Sequence, residues 1–300
     1  MNEGCGPNPR IAFVALLFTG LAGAWGPVLA SSDAANLMRA THLAMTGRLE
    51  HNQFHRPLVL DSIETPRHVA GEIYAEVNYP FSMVSSELNN AGHWCDVISL
   101  HINTKYCRAE TGPAGSVLKV SVGQKGAEKL SDAYRVEFGF SVDAMSADYA
   151  GFRLIASDGP MGTSDYRIAL EAIAVQEGKT FLHLTYSYAM NFTARIAMQT
   201  YLATLARDKI GFTRSNPSGN ETAPFIGGLR ALVERNTMRY YLAIDSFLDA
   251  SGTDPTLQLE RRLESWFSAT ELYAAQLHEM DRSDYLSMKR DEYKRQQSGN

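Results

Sequence analysis

The chain is poor in cysteine, in basic blocks and in the short motifs that announce catalysis, and each shortage closes off a class of function. Three cysteines in 300 residues are too few for a disulfide scaffold or a zinc module, both of which need dense Cys or Cys/His spacing. No G-x-S-x-G elbow and no H-E-x-x-H pair occurs, and the loop SDGPMGTSDY has glycines without a following lysine. The familiar forms of serine hydrolases, zinc proteases and phosphate-cradling enzymes are therefore missing, and that loop reads as a turn between strands. His51 and His55 stand four apart and could share a helical face but have no third ligand nearby in sequence, and His278-Glu279 lacks the second histidine of H-E-x-x-H. Neither a metal nor a cofactor is expected. The 28 Lys and Arg are outnumbered by 33 Asp and Glu, a net charge of −5 with no basic-aromatic run. This argues against nucleic acid, whose phosphates demand a positive face. The chain has no internal repeat and no low-complexity tract.

One apolar run approaches membrane length. It extends from Ile11 to Trp25, after Arg10 and before Gly26, Pro27 and the small-residue stretch Val28-Leu29-Ala30. Charged end, apolar middle and small residues are the order of a secretory signal peptide, so residues 1–30 are read as a signal cut after Ala30, with the rest in the periplasm or secreted. An uncleaved anchor is the rival reading, since a span takes about 20 residues; Gly20, Gly23 and Pro27 weaken it. Cys5 leaves with the signal, stranding Cys95 and Cys107 as one pair. Export makes them candidates for a disulfide, and two buried free thiols are the alternative. Asn191-Phe192-Thr193 and Asn220-Glu221-Thr222 match the glycosylation sequon, relevant only in a glycosylating host.

Hydrophobic periodicity sorts the rest. Residues 31–56 contain an amphipathic helix through Leu37, Ala40, Leu43 and Ala44, and the stretch up to Val69, broken by Pro57 and Pro66, suggests an irregular edge strand. GEIYAEVNYPF alternates as a half-buried strand, and FSMVSSELNNAGHWCDVI reads as one or two short helices. Strands follow in HINTKYCRAE, SVLKVSVGQK, YRVEFGFSVDA and the region Phe152 to Ala156. DYRIALEAIAVQEGKTFLHLTYSYAM is the clearest hairpin, turning at Glu177-Gly178. On its second strand Leu182, Leu184, Tyr186 and Tyr188 share one face. RIAMQTYLATLARDKI then predicts a helix leading straight out of that strand. Beyond the polar stretch TRSNPSGNETAP, two helical stripes follow, one through Leu229, Val233, Tyr240, Ile244 and Phe247, the other through Leu263, Trp266, Phe267 and Leu277. The charged tail, residues 283–300, is expected to fray.

A lone antiparallel sheet cannot bury its apolar face, so an α+β fold with a long helix laid across a curved sheet is expected. The strand GEIYAEVNYPF entering two short helices, the tetrad Trp94-Cys95-Asp96-Val97, and the passage YSYAMNFTARIAMQTYLATLA give an order that resembles the helix-grip fold of the START and polyketide-cyclase-like superfamily. The resemblance spans residues 57–213. It makes 224–282 a helical extension and implies that the helix after Asn191 is the one gripped.

The resemblance further implies a cavity between sheet and helix for a lipid, sterol or polyketide. Its candidate lining is Tyr134, Phe138, Tyr166, Leu184, Tyr186 and Tyr188, each of which could equally be core. In the stripe from Phe225 to Ala250, Asn236, Arg239 and Tyr241 are polar groups that need partners when buried: either a structural network or contacts to a ligand head group. The leading expectation is an exported, non-catalytic carrier or sensor of a hydrophobic small molecule. The rivals are a cyclase- or hydrolase-type enzyme in the same cavity, and an interaction module presenting Leu263, Trp266 and Phe267 to a protein partner.

Overall fold

The computed structural model describes residues 31–216 and 223–298. The candidate signal segment, its cleavage site, Cys5 and the Asn220 sequon lie outside the described residues.

Where apolar residues alternate, strands form and pair antiparallel throughout. β1 (Leu58–Glu64) and β2 (His68–Val77) make a hairpin, and α2 (Phe81–Leu88) and α3 (Ala91–Ser99) follow. A meander of six strands comes next: β3 (Thr104–Gly112), β4 (Gly115–Val122), β5 (Tyr134–Met145), β6 (Tyr149–Asp158), β7 (Thr163–Gln176) and β8 (Lys179–Met190). The last strand returns beside β2, giving one eight-stranded sheet in the order β1-β2-β8-β7-β6-β5-β4-β3. Because α2 and α3 carry the chain from β2 to the opposite edge, the strands wrap around whatever lies on the concave face. The β7-β8 turn is tight at Gly178, whose φ of 72° suits glycine. Cys95 on α3 and Cys107 on β3 are disulfide-bonded, with Cα atoms 5.3 Å apart, which ties the α3 end to the far edge of the sheet.

The concave face grips α5 (Gly228–Ser251), not the helix after Asn191. That helix, α4 (Phe192–Ala203), is capped by Asn191 and buries Leu202 alone, while Phe192, Ile196 and Tyr201 stay exposed. α5 is buried nearly all round, with Leu229, Val233, Met238, Leu242, Ile244, Phe247 and Leu248 in the core and Glu234, Arg235, Thr237 and Arg239 buried beside them. Such a helix belongs between two layers: the sheet on one side and α6 (Pro255–Glu271) on the other. It packs mainly on β2, with β1 and β8 beside it. The closest approach is at Gly71, where an added Cβ would stand 2.2 Å from Thr237 Oγ1. Glu234, fully buried on α5, accepts from the Phe212 amide at 2.6 Å, the Thr213 amide at 3.0 Å and the Ser62 hydroxyl at 2.6 Å. It thereby staples both the incoming loop and β1 to the helix.

Two further expectations change. The stripe Leu263, Trp266 and Phe267 is buried, and Tyr285 stacks on Trp266 at 5.0 Å, so it offers no surface to a partner. The tail is not frayed as far as Ser298: α7 (Ala274–Leu277) leads to α8 (Arg282–Ser298), which packs on β3 and α6. Its charges hide this from a reading of hydropathy. Lys289 donates to the carbonyls of His101 at 2.7 Å and Thr104 at 2.8 Å and to Glu292 at 2.8 Å, while Tyr285 donates to the Leu100 carbonyl at 2.9 Å. The helices past residue 224 thus share one core with the sheet.

On the convex face α1 (Ser31–Glu50) covers a second, smaller core of Ala35, Met38, Val59, Tyr149, Ile173 and Phe181. Beside it His183 bonds Glu171 at 3.2 Å, approaches Glu72 at 3.6 Å and stacks on Tyr74 at 4.3 Å. Burial would depress the imidazolium, but the hydrogen bonds to the two carboxylates outweigh it and raise the group to about 9.

Two tests follow from these contacts. Gly71→Ala forces Thr237 and its backbone away from β2 and should cost about 1–3 kcal/mol in urea unfolding; adding Thr237→Ala should restore part of the loss, since the nearest clashing atom goes. A histidine raised above its unfolded value contributes stability that is complete below about 6.5 and lost as pH rises through about 9. Stability should therefore fall between pH 7 and 9 by at most about 3 kcal/mol, and His183→Gln should flatten that slope.

Candidate functional site

Because α5 lies over β1, β2 and β8, the curved sheet leaves space beneath β4, β5 and β7. A cavity of about 450 Å³ fills that space, bounded by β4, β5, β7 and β8, by α5, by the α3-β3 turn and by Met198 of α4. Depressions of similar volume around Arg261 and Glu264, and around Arg56 and Asp245, are lined mainly by charged side chains. A cleft of about 180 Å³ between α3, α6 and α8 is polar as well. The large cavity alone among these has walls of valine, methionine and aromatic rings, the composition of a site for an apolar molecule.

Six of the nine candidate residues meet there: Tyr134, Phe138, Tyr166, Tyr186, Tyr188 and Asn236. Alternation on β5 and β8 brings them to one face, and the β7 register places Tyr166 opposite. Tyr166 stacks on Tyr188 at 5.2 Å, Tyr188 meets Tyr186 at 5.7 Å, and Phe138 sits edge-on to Tyr166 at 6.4 Å. Tyr134 is 43% exposed and Met161 77%, so these two mark the mouth; Tyr186 and His101, each 5% exposed, mark the inner end.

Leu184, Arg239 and Tyr241 do not line the cavity. Leu184 lies two residues back along β8, fully buried in the solid part of the core between Ile73 and Leu170 on the neighbouring strands. Tyr241 points to the other side of α5, where Arg56 donates to its hydroxyl at 2.7 Å. Arg239 is turned toward Glu279, which it meets at 2.9 Å. The alternation rule holds for strands, but on a helix residue 241 falls on a different side from 236 and 239, and Arg239, although beside Asn236, is drawn toward Glu279.

The residues missed by the sequence reading come from places that carry no periodic signal. His101 and Asn103 lie in the α3-β3 turn, and Met198 comes from α4. Tyr240 was visible in the α5 stripe; its ring meets Tyr186 at 5.1 Å and His101 at 5.2 Å, extending the row of aromatics across the cavity.

Electrostatics keep the inner end uncharged. Burial lowers His101 well below the ordinary imidazole range, and the charges of Arg239 and Lys289 push it further down. Burial raises the phenols of Tyr166, Tyr186, Tyr188 and Tyr240. Among the described residues no group of three or more His, Cys, Asp or Glu is arranged to hold a metal.

No family model and no curated protein matches this chain. Among solved structures it is similar to the ZhuI aromatase/cyclase from Streptomyces sp. R1128, at 15% identity and a TM-score of 0.30 over 44% of this chain and 70% of that one. It is similar to norcoclaurine synthase from Thalictrum flavum, at 13% identity and 0.30 over 50% and 82%. It is similar also to human StAR-related lipid transfer protein 5, at 9% identity and 0.30 over 54% and 84%. A curved antiparallel sheet wrapped around α5 is itself the helix-grip arrangement.

In this helix-grip chain the floor beside the cavity is held by one carboxylate. Glu279 receives Arg239 at 2.9 Å, Lys125 at 2.6 Å and Lys209 at 2.8 Å. Burial would raise Glu279, but the lysine hydrogen bonds and the Arg239 charge hold it at about 2. Its contribution to stability is present above the ordinary carboxylate range and lost as pH falls toward 2. Glu279→Gln strands the buried Arg239 guanidinium and should cost about 3 kcal/mol at pH 7 by thermal or urea unfolding, and should remove part of the acid sensitivity between pH 5 and pH 2.

Proposed function

We propose that this chain is an exported carrier or sensor that encloses an apolar small molecule in the cavity between its curved sheet and α5. The observation that carries the reading is the cavity of about 450 Å³ with its row of aromatic rings. A space of that size suits a ligand of a few fused rings or a folded acyl chain, and its walls reward burial at about 25 cal/mol per Å² of apolar surface.

Carrying is favoured over catalysis by the protonation states inside. General acid-base work calls for a group that titrates near the working pH. Here the imidazole is held neutral by burial and by positive neighbours, and the phenols are held protonated by burial. Glu128 and Asp132 are at the solvent side of the cavity, where Asp132 is exposed. Export is supported by the apolar run after Arg10 and by the bond between Cys95 and Cys107, a linkage that persists outside the reducing cytosol.

The test is uptake of the neutral fluorophore N-phenyl-1-naphthylamine by the purified chain beginning at Ser31, with mass spectrometry of an organic extract. Binding is expected. Val136→Trp, which projects an indole into the cavity from β5, should weaken it at least about tenfold while the thermal melt stays cooperative. No uptake, or uptake indifferent to that substitution, would remove the proposal.

A further inference from the structure

The inner end of the cavity has a definite hydrogen-bonding sign, and two side chains that can only be read one way set it. Arg239 donates Nη1 to Asn236 Oδ1 at 3.4 Å, and its guanidinium is itself fixed by Glu279 at 2.9 Å and the Leu277 carbonyl at 3.3 Å. A guanidinium has no acceptor atom, so the Asn236 oxygen faces Arg239 and its NH₂ faces away. The backbone N–H of Asn103 donates to His101 Nδ1 at 3.2 Å. The neutral ring therefore carries its proton on Nε2, and the Asn236 side chain is the polar group beside it.

Beside this pair stands Tyr186, 5% exposed and part of the cavity wall, its oxygen next to the Asn236 amide donor. A phenol that has a donor at its oxygen must turn its own hydrogen elsewhere, and the Tyr186 side chain lines the cavity. Tyr240, between Tyr186 and His101, adds another hydroxyl. Two phenol hydroxyls thus belong to side chains that line this end of the cavity, and an apolar occupant that left such a donor unmet would lose about 1–3 kcal/mol for each. Behind them, Arg239, Lys289 and Lys105 make the floor electropositive enough to depress His101 beyond what burial does.

We infer that the preferred occupant is an apolar molecule bearing a carbonyl oxygen, which accepts a hydrogen bond from the Tyr186 hydroxyl backed by Asn236. The inference rests on the carrier reading and narrows its ligand class. A pure hydrocarbon would leave these donors unmet, and a cationic amine would meet a positive floor.

The experiment compares 2-acetylanthracene with 2-ethylanthracene, which differ by a carbonyl in place of a methylene, titrated by fluorescence against the chain beginning at Ser31. The ketone should bind about tenfold tighter than the hydrocarbon, the worth of one buried hydrogen bond. Tyr186→Phe and Asn236→Leu should each bring that ratio, read within the same variant, toward one. An unchanged ratio in Tyr186→Phe overturns the inference while leaving the carrier reading in place. If neither probe binds the unsubstituted chain, the carrier reading fails and takes the inference with it. Should a variant misfold, the carbonyl stretch of 2-acetylanthracene bound to the unsubstituted chain decides: a position below that in hexane supports the hydrogen bond, and coincidence with hexane overturns it.

Discussion

The approach of α5 to β2 at Gly71 is the constraint on which the remaining geometry depends. Only a residue without a Cβ lets Thr237 come so close to the strand, and the Thr237 hydroxyl is in turn satisfied by the Val233 carbonyl at 2.8 Å within its own helix. With α5 drawn down over β1, β2 and β8, it cannot also touch β4 and β5, because a twisted sheet curves away from a straight rod. The cavity is what remains between the two. Its far wall is closed from elsewhere, by the α3-β3 turn that the Cys95 and Cys107 bond fixes to the sheet edge.

Several buried carboxylates extend this arrangement into the C-terminal half. Glu234 gathers the amides of Phe212 and Thr213 and the hydroxyl of Ser62, Glu279 gathers Arg239, Lys125 and Lys209, and Glu292 pairs with Lys105 and Lys289. A buried ion pair is weak evidence for net stability, since desolvation offsets attraction. What such groups do supply is direction, because a carboxylate with several donors tolerates few geometries. Each one ties a loop or helix that follows the sheet to the gripped helix or to the α3-β3 turn, and a purely apolar contact would leave that register looser.

This explains which parts were legible from sequence. β2, β5 and β8 announce themselves because one face meets the core and the other meets solvent or polar side chains, so Ile73, Ala75 and Val77, or Leu182, Leu184 and Tyr186, alternate cleanly. The same logic collected Tyr134, Phe138, Tyr166, Tyr186 and Tyr188 at one cavity. Helices misled for the converse reason. The stretch from Phe192 to Leu205 has Ile196, Leu202 and Leu205 at plausible spacing, yet Ile196 is 48% exposed and Leu205, past the end of α4, is 85% exposed. α5 shows its stripe interrupted by Asn236, Thr237 and Arg239, which pair inside the protein. α8 reads as a solvated tail because Lys289 and Glu292 look solvent-bound until the carbonyls of His101 and Thr104 are seen beneath them. His101 has no pattern at all to betray it, since a turn residue reaches the cavity through tertiary geometry alone.

The cavity also has to be reconciled with a stable fold. At about 24 cal/mol per Å³, a dry apolar void of about 450 Å³ would cost on the order of 10 kcal/mol, comparable to the whole stability of an ordinary domain. A strictly apolar lining of that size would therefore select for collapse or for smaller strands. Here the hydroxyls of Tyr186, Tyr188 and Tyr240 and the Asn236 amide provide anchoring points for water, which makes a wet interior tolerable. Water held only by a few points and facing valine and aromatic rings on the remaining sides is easily displaced by an apolar molecule that keeps one acceptor for the donors. Under the proposed function the polar end would thus serve both states of the protein: it would let the unliganded fold persist, and it would set which oxygen replaces the water that leaves.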